Sequence, residues 1–369
     1  MTATGSTVLR PLRAGEILDR AIRLYRQHFL TYVGIIALVQ VPLVLVQMLS
    51  SLLTFGGFLG NIDDMLANPA ATPDAPFDIF GPSYLAGASL SSLTSILGFI
   101  LVQGVATAAL TYAVSTAYLG SEAGETGRVI DAYRSIKDVW IPMIAALLLA
   151  IALSIACAIW WLVPCVGWLT GGGMLLFLWL VIIPLLAPVI VLERKSPTMA
   201  WRRAWALARR RFWWVLGFAL LLYLFNLLVV AGPAAVIASI GQFTVSDPFD
   251  FSQGTFTVQA VAQSLATLVT SLLYLPLQVA AMTVLYFDLR VRSEGLDLAL
   301  AARASDESRN TVAQISAVAS ATERGSLLAG REWRNFVLVT LLGAGFFVVI
   351  YVTLLGLVLA VAAAFSPGF

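Results

Sequence analysis

The chain has 369 residues, of which 60% are hydrophobic and 11% charged, with a net charge of +2. A soluble domain carries about 25% charged residues, and no soluble fold of this length covers that much apolar surface, so lipid is the expected solvent. The near-neutral balance argues against a nucleic-acid partner, and the scarcity of lysine beside arginine (Lys137 and Lys195 only) fits a GC-rich bacterial source.

In chain order, Arg10, Arg13, Arg20, Arg23 and Arg26 precede the first long apolar run. No small-residue cleavage site follows it, so that run is expected to be an anchor and not a removable signal. Seven apolar spans are expected, at about 29–55, 84–119, 139–163, 174–192, 212–240, 258–287 and 335–365. Gly56 to Ser83 reads as a Pro-rich loop carrying Asp63, Asp64, Asp74 and Asp78, and a second acidic loop with Asp247 and Asp250 precedes the sixth span. Pro164 to Gly173, with three consecutive glycines, reads as a tight turn. Cys157 and Cys165, taken on one helix, would stand roughly 12 Å apart, too far to bridge; they read as small packing residues.

The resulting organisation is all-α and polytopic. Residues 1–28 form a cytoplasmic N-terminus with an amphipathic helix, and 29–294 a six-helix membrane domain. Residues 295–334 form a cytoplasmic Ala/Ser-rich linker, and 335–369 a seventh transmembrane helix with a short external tail. With the N-terminus inside and sides alternating, all 22 Lys and Arg fall on the inner side, while the outer loops hold six Asp and no base. That is the positive-inside pattern, and it predicts a multi-pass protein of the bacterial plasma (inner) membrane with an external C-terminus. Trp140, Trp201, Trp205, Trp213, Trp214 and Trp333 fall at the inner boundaries, and Trp160, Trp161 and Trp168 at the outer one, where an indole keeps its ring apolar and its N–H wet.

Ser196 to Gly217 is the most informative stretch. Ser196-Pro197 is a helix start. Arg202, Arg203, Arg209, Arg210 and Arg211 crowd one half of the helix surface, and Met199, Trp201, Ala204, Trp205 and Ala208 the other. Such a helix is expected to lie in the headgroup layer of an anionic leaflet, and these arginines are candidate lipid-headgroup contacts. Ala204, Leu207, Phe212 and Gly217 recur at the same spacing as Ala21, Leu24, Phe29 and Gly34, and more weakly as Ala132, Ser135, Trp140 and Ala145. This predicts three repeats of a basic surface helix followed by a transmembrane hairpin.

No Asp, Glu, Lys or Arg lies inside any expected span, which lowers the case for ion-coupled transport. The single His28 has no companion ligands or nucleophile around it, so no metal, cofactor or catalytic residue is assigned. Gln40, Gln47, Gln103, Asn226, Gln263 and Gln278 lie within spans and carry two readings: interhelical hydrogen bonds, or the polar lining of a ligand path. Pro42, Pro184, Pro188, Pro233 and Pro276 each remove a backbone hydrogen bond. Pro184 and Pro188 are the best candidates for a functional kink, and Pro276 is a further kink or cavity candidate. At the end of the sixth span, Asp288 is expected to pair with Arg292 and Arg290 with Glu294, one turn apart on an exposed helix end.

That last segment, Tyr286 to Leu298, and the N-terminal Leu9-Arg10-Pro11-Leu12, Gly15 to Ala21 and Leu24-Tyr25-Arg26 carry a resemblance. The chain resembles bacterial, especially actinobacterial, proteins of the glycerophosphoryl diester phosphodiesterase membrane domain family, over roughly Val8 to Leu300. The founding members join this membrane part to a soluble two-His, metal-assisted phosphodiesterase barrel. One His and no βα-alternating segment mean that no catalytic residue transfers. The resemblance implies a membrane location.

The expected function is therefore non-enzymatic: membrane-complex assembly or lipid handling at the cytoplasmic leaflet. The partners would be anionic membrane lipids and a membrane protein or a second copy of the chain. The alternative is a permease for a neutral or amphipathic solute, which a continuous polar cavity touching Gln40, Gln103, Pro184 and Gln278 would favour.

Overall fold

A computed structural model describes residues 10–67, 81–119, 129–233, 236, 253–303 and 330–365, and every regular element among them is helical. Hydrocarbon offers no water to backbone N–H and C=O groups, so long apolar stretches satisfy them within helices. In order these are α1 (Ala14–Gln27), α2 (Phe29–Ala67), α3 (Pro82–Ile100), α4 (Thr107–Tyr118), α5 (Val129–Ser135), α6 (Trp140–Trp161) and α7 (Val166–Phe177). There follow α8 (Ile183–Glu193), α9 (Pro197–Arg209), α10 (Phe212–Phe225), α11 (Gln253–Glu294), α12 (Leu296–Arg303) and α13 (Gly330–Phe365). The turns Leu101–Ala106, Leu178–Ile182 and Asn226–Ala231 are π-helical.

Several boundaries differ from expectation. Helix α2 continues through Asp63 and Asp64 to Ala67, and α11 runs on to Glu294. The linker expected over 295–334 contains α12 and the start of α13. The fourth helical run begins at Val166, so Gly171, Gly172 and Gly173 lie inside a helix and not in a turn. Cys157 lies in α6 and Cys165 just before α7, so they do not share a helix; both thiols are free. Asp74, Asp78, Asp247, Asp250 and residues 304–329 lie outside the described residues.

Six helical runs among the described residues are long and apolar enough to cross a membrane, consistent with an integral membrane protein. Their burial alternates. Within an apolar stretch of 18 residues in each, 22%, 22% and 28% of the residues are buried in Phe29–Gly56, Lys137–Trp161 and Phe212–Val230, against 50%, 72% and 50% in Tyr84–Tyr118, Val166–Glu193 and Val258–Glu294. The second member of each pair is therefore the inner one. Helices α4, α8 and α11 pack on one another at the centre, through small residues such as Ala108, Ala109, Ala113, Ala280 and Ala281. In lipid, close backbone approach of this kind replaces the hydrophobic drive that assembles soluble cores.

The short helices α1, α5 and α9 gather where the inner helices end, at the basic end of the bundle. Ala21, Ala132 and Ala204 are each completely buried. Phe29, Trp140 and Phe212, eight residues later, are each the first residue of a long helix. The apolar face of α9 turns inward onto the bundle: Ala200, Ala204, Leu207 and Ala208 are buried, and the Trp201 indole N–H donates to the Ala146 carbonyl at 3.0 Å. Helix α13 packs on α7. A Cβ at Gly173 would stand 2.3 Å from the Phe336 carbonyl oxygen, so only glycine admits this approach, and the Gly173 N–H donates to Thr340 Oγ1 at 2.7 Å.

Candidate functional site

Two segments 276 residues apart close on each other at the basic end. The Leu12 N–H donates to Asp288 Oδ1 at 2.6 Å. Arg292 Nε donates to both Asp288 oxygens at 3.0 and 2.8 Å, and its Nη2 donates to the Leu12 carbonyl. Leu12 and Asp288 are 1% and 2% exposed. The pairs Asp288–Arg292 and Arg290–Glu294 form as the i,i+4 spacing predicts. The helix end, expected to be exposed, is buried over Asp288, Leu289, Arg290 and Val291, where α1 and α9 pack on it, while Arg292 is exposed. Just after Leu12, Glu16 caps α1. The Arg13 N–H donates to Glu16 Oε2 at 3.0 Å and holds this carboxyl below the usual carboxylate range, aided by the adjacent Arg10 guanidinium.

A second buried network joins α8, α9 and α11. Glu193 and Glu294 end their helices, where the helix dipole disfavours a carboxylate. Arg203 answers both. Its Nε lies 3.1 Å from each Glu193 oxygen, its Nη2 donates to Glu294 Oε2 at 2.6 Å, and its Nη1 pairs with Glu294 Oε1. The Tyr286 hydroxyl donates to Glu193 Oε1 at 2.8 Å and accepts from Arg290 Nη1 at 3.1 Å, while Arg290 Nε donates to Glu294 at 3.1 Å. Arg290 is completely buried, and among the described residues its Nη2 has no hydrogen-bond partner. Burial alone would lower the Arg203 pKa, but the hydrogen bonds and charges of Glu294 and Glu193 outweigh it and raise it. This network is a structural clamp with matched charges.

The arginines singled out from sequence therefore separate. Arg203 is buried in the clamp, which corrects its assignment as a headgroup contact; its guanidinium is occupied by carboxylates of the protein. Arg202 is exposed, Arg209 half-buried, and Arg210 exposed with Nη1 donating to the Ser293 carbonyl at 3.3 Å. Arg211 is exposed and lies 5.9 Å from the Trp214 ring centroid.

An open groove of about 490 Å³ lies along α1, lined by Asp19, Ile22, Arg23, Arg26 and Gln27. All but Ile22 are exposed. On the other side of α1, Arg20 Nη1 donates to the Tyr118 hydroxyl at 3.1 Å. No sequence argument distinguished Arg23 and Arg26 from their neighbours. The usable signal was that they are three apart, on the face opposite Ile17 and Ala21.

Inside the bundle, Gln103, Pro184 and Gln278 line one cavity with Thr107, Ile183, Ala187, Val279 and Met282. Gln40 is half-buried in α2 and does not line it; Pro188 and Pro276 are buried in α8 and α11. The cavity measures about 10 Å³, too small for a solute path, which needs hundreds of Å³. Among the described residues, no group of three or more His, Cys, Asp or Glu is placed to hold a metal ion.

Compared with known proteins, the chain matches no family model, no curated protein and no solved structure.

Proposed function

We propose that the chain is a non-enzymatic protein of the bacterial plasma membrane that holds anionic lipid headgroups at its basic end. The carrying observation is the α1 groove, where two exposed guanidiniums, Arg23 and Arg26, flank an open volume beside the apolar start of α2 at Phe29 and Leu30. Headgroup phosphate takes two such donors as charge-assisted hydrogen bonds, and the acyl chains continue along exposed apolar α2. Arg202 on α9, and Arg210 and Arg211 just after it, are further exposed arginines. In this reading the basic end is cytoplasmic and α13 is a seventh crossing with its end outside. The organisation is three repeats of surface helix plus hairpin, supported by the equal placement of Ala21, Ala132 and Ala204. The resemblance to the phosphodiesterase membrane domain family supports a membrane location. The groove remains open for a partner protein only where lipid leaves it free.

Purification from native membrane with mass spectrometry of co-eluting lipids tests this. Wild-type protein is expected to retain anionic lipid, and Arg23→Ala with Arg26→Ala to lose most of it. Unchanged lipid content in the double variant refutes the headgroup role of the groove.

A further inference from the structure

The interior cavity lies about 24 Å from the end of α11, taking sixteen residues from Gln278 to Glu294 at the helical rise. It is therefore far from the basic end and independent of the lipid reading. Thr107, Ile183, Ala187 and Met282 on its walls are buried, and Gln103, Pro184, Gln278 and Val279 are half-buried. Three features make those walls polar. Among the described residues, the side-chain carboxamides of Gln103 and Gln278 have no hydrogen-bond partner in the protein, although each offers two donors and an acceptor oxygen. The Thr107 hydroxyl is a donor to the Gln103 carbonyl and keeps its acceptor capacity. Pro184 supplies no N–H to the preceding turn, and that turn, Leu178–Ile182, is π-helical, as is Leu101–Ala106 on the opposite wall. π-Helical turns recur at functional sites.

Size and charge select the occupant. A volume of about 10 Å³ corresponds to about one water-sized sphere, and a buried water needs two to four polar partners. The two carboxamides and the hydroxyl supply them. A cation of similar size would lack a counter-charge, since no lining residue is acidic, and an uncompensated ion in this environment is expensive. We propose that the cavity between α4, α8 and α11 is a binding site for one water molecule, bridged by Gln103, Gln278 and Thr107.

The cavity contains its own reporter. Met282 lines it, and methionine is readily oxidised to the sulfoxide. Radiolysis of the full chain in detergent generates hydroxyl radical wherever water sits. Met143, which is completely buried and outside the cavity, sets the dry rate, and Met199, 49% exposed, the wet one. Met282 is expected to oxidise several-fold faster than Met143 despite equal burial, and Gln103→Leu with Gln278→Leu to bring it down to the Met143 rate. The wild-type comparison alone decides if the double variant fails to fold: equal rates at Met282 and Met143 mean a dry cavity and overturn the proposal. Exchanging sodium for potassium should leave the Met282 rate unchanged; a several-fold dependence on the cation would replace water with a bound ion and overturn it as well.

Discussion

Helices α1 and α9 occupy matching positions but use their arginines differently. Each buries an alanine completely and ends just before an aromatic that opens a long helix. In each, the arginine before that alanine turns inward: Arg20 to the Tyr118 hydroxyl, and Arg203 to Glu193 and Glu294. Beyond it they part. On α1, Arg23 and Arg26 face an open groove; at the matching places α9 has Ala206 and Arg209. The inward arginine is a structural clamp in both helices, and this groove lies along α1. Basic composition by itself does not distinguish a clamp from a ligand contact. Burial does.

Breaking the clamp should have the largest effect. Arg203→Ala leaves two buried carboxylates with one fewer counter-charge, and is expected to cost about 3–5 kcal/mol, read as a large drop in melting temperature of the detergent-solubilised protein. Asp288→Ala strands the Leu12 N–H and the Arg292 guanidinium; about 2–3 kcal/mol is expected, with faster proteolysis ahead of α1. Gly173→Leu drives a side chain into the Phe336 carbonyl and should cost about 1–3 kcal/mol, with α13 becoming cleavable from α7. Tyr133 ties α5 to α2 by donating to the Ile35 carbonyl at 2.7 Å, and its burial pushes the phenol up to about 12. Tyr133→Phe should cost about 1 kcal/mol. Because the folded pKa is raised, the phenol's contribution is complete below pH 10 and is lost as pH rises through about 12; ultraviolet titration checks this. Arg23→Ala with Arg26→Ala, at exposed positions, should change stability by no more than about 0.5 kcal/mol.

Much of the architecture could be read from local periodicity. Apolar runs located six of the seven expected spans, and i,i+4 spacing gave Asp288–Arg292 and Arg290–Glu294. The repeat pattern picked out three alanines that are all buried. What could not be read required contacts between distant segments. Arg203 meets Glu294 across 91 residues, and on a helical wheel it sits with the other arginines of α9. Glu193 carried an overlooked signal: a carboxylate at the negative end of a helix needs a cation. The triple glycine was expected in a turn because glycine breaks helices in water; within lipid it permits α13 to approach α7. Gln103, Pro184 and Gln278 were each identified from sequence, but their meeting around one small cavity depends on the packing of three inner helices.

The division between clamp and groove is tested most directly by melting wild type, Arg203→Ala and Arg23→Ala/Arg26→Ala in detergent, with and without added phosphatidylglycerol. Lipid that binds only the folded state raises its melting temperature. The account predicts a lower baseline with the lipid-induced rise intact for Arg203→Ala, and an unchanged baseline with the rise abolished for the α1 pair. A full lipid-induced rise in the α1 pair, or its loss in Arg203→Ala at a wild-type baseline, would contradict it.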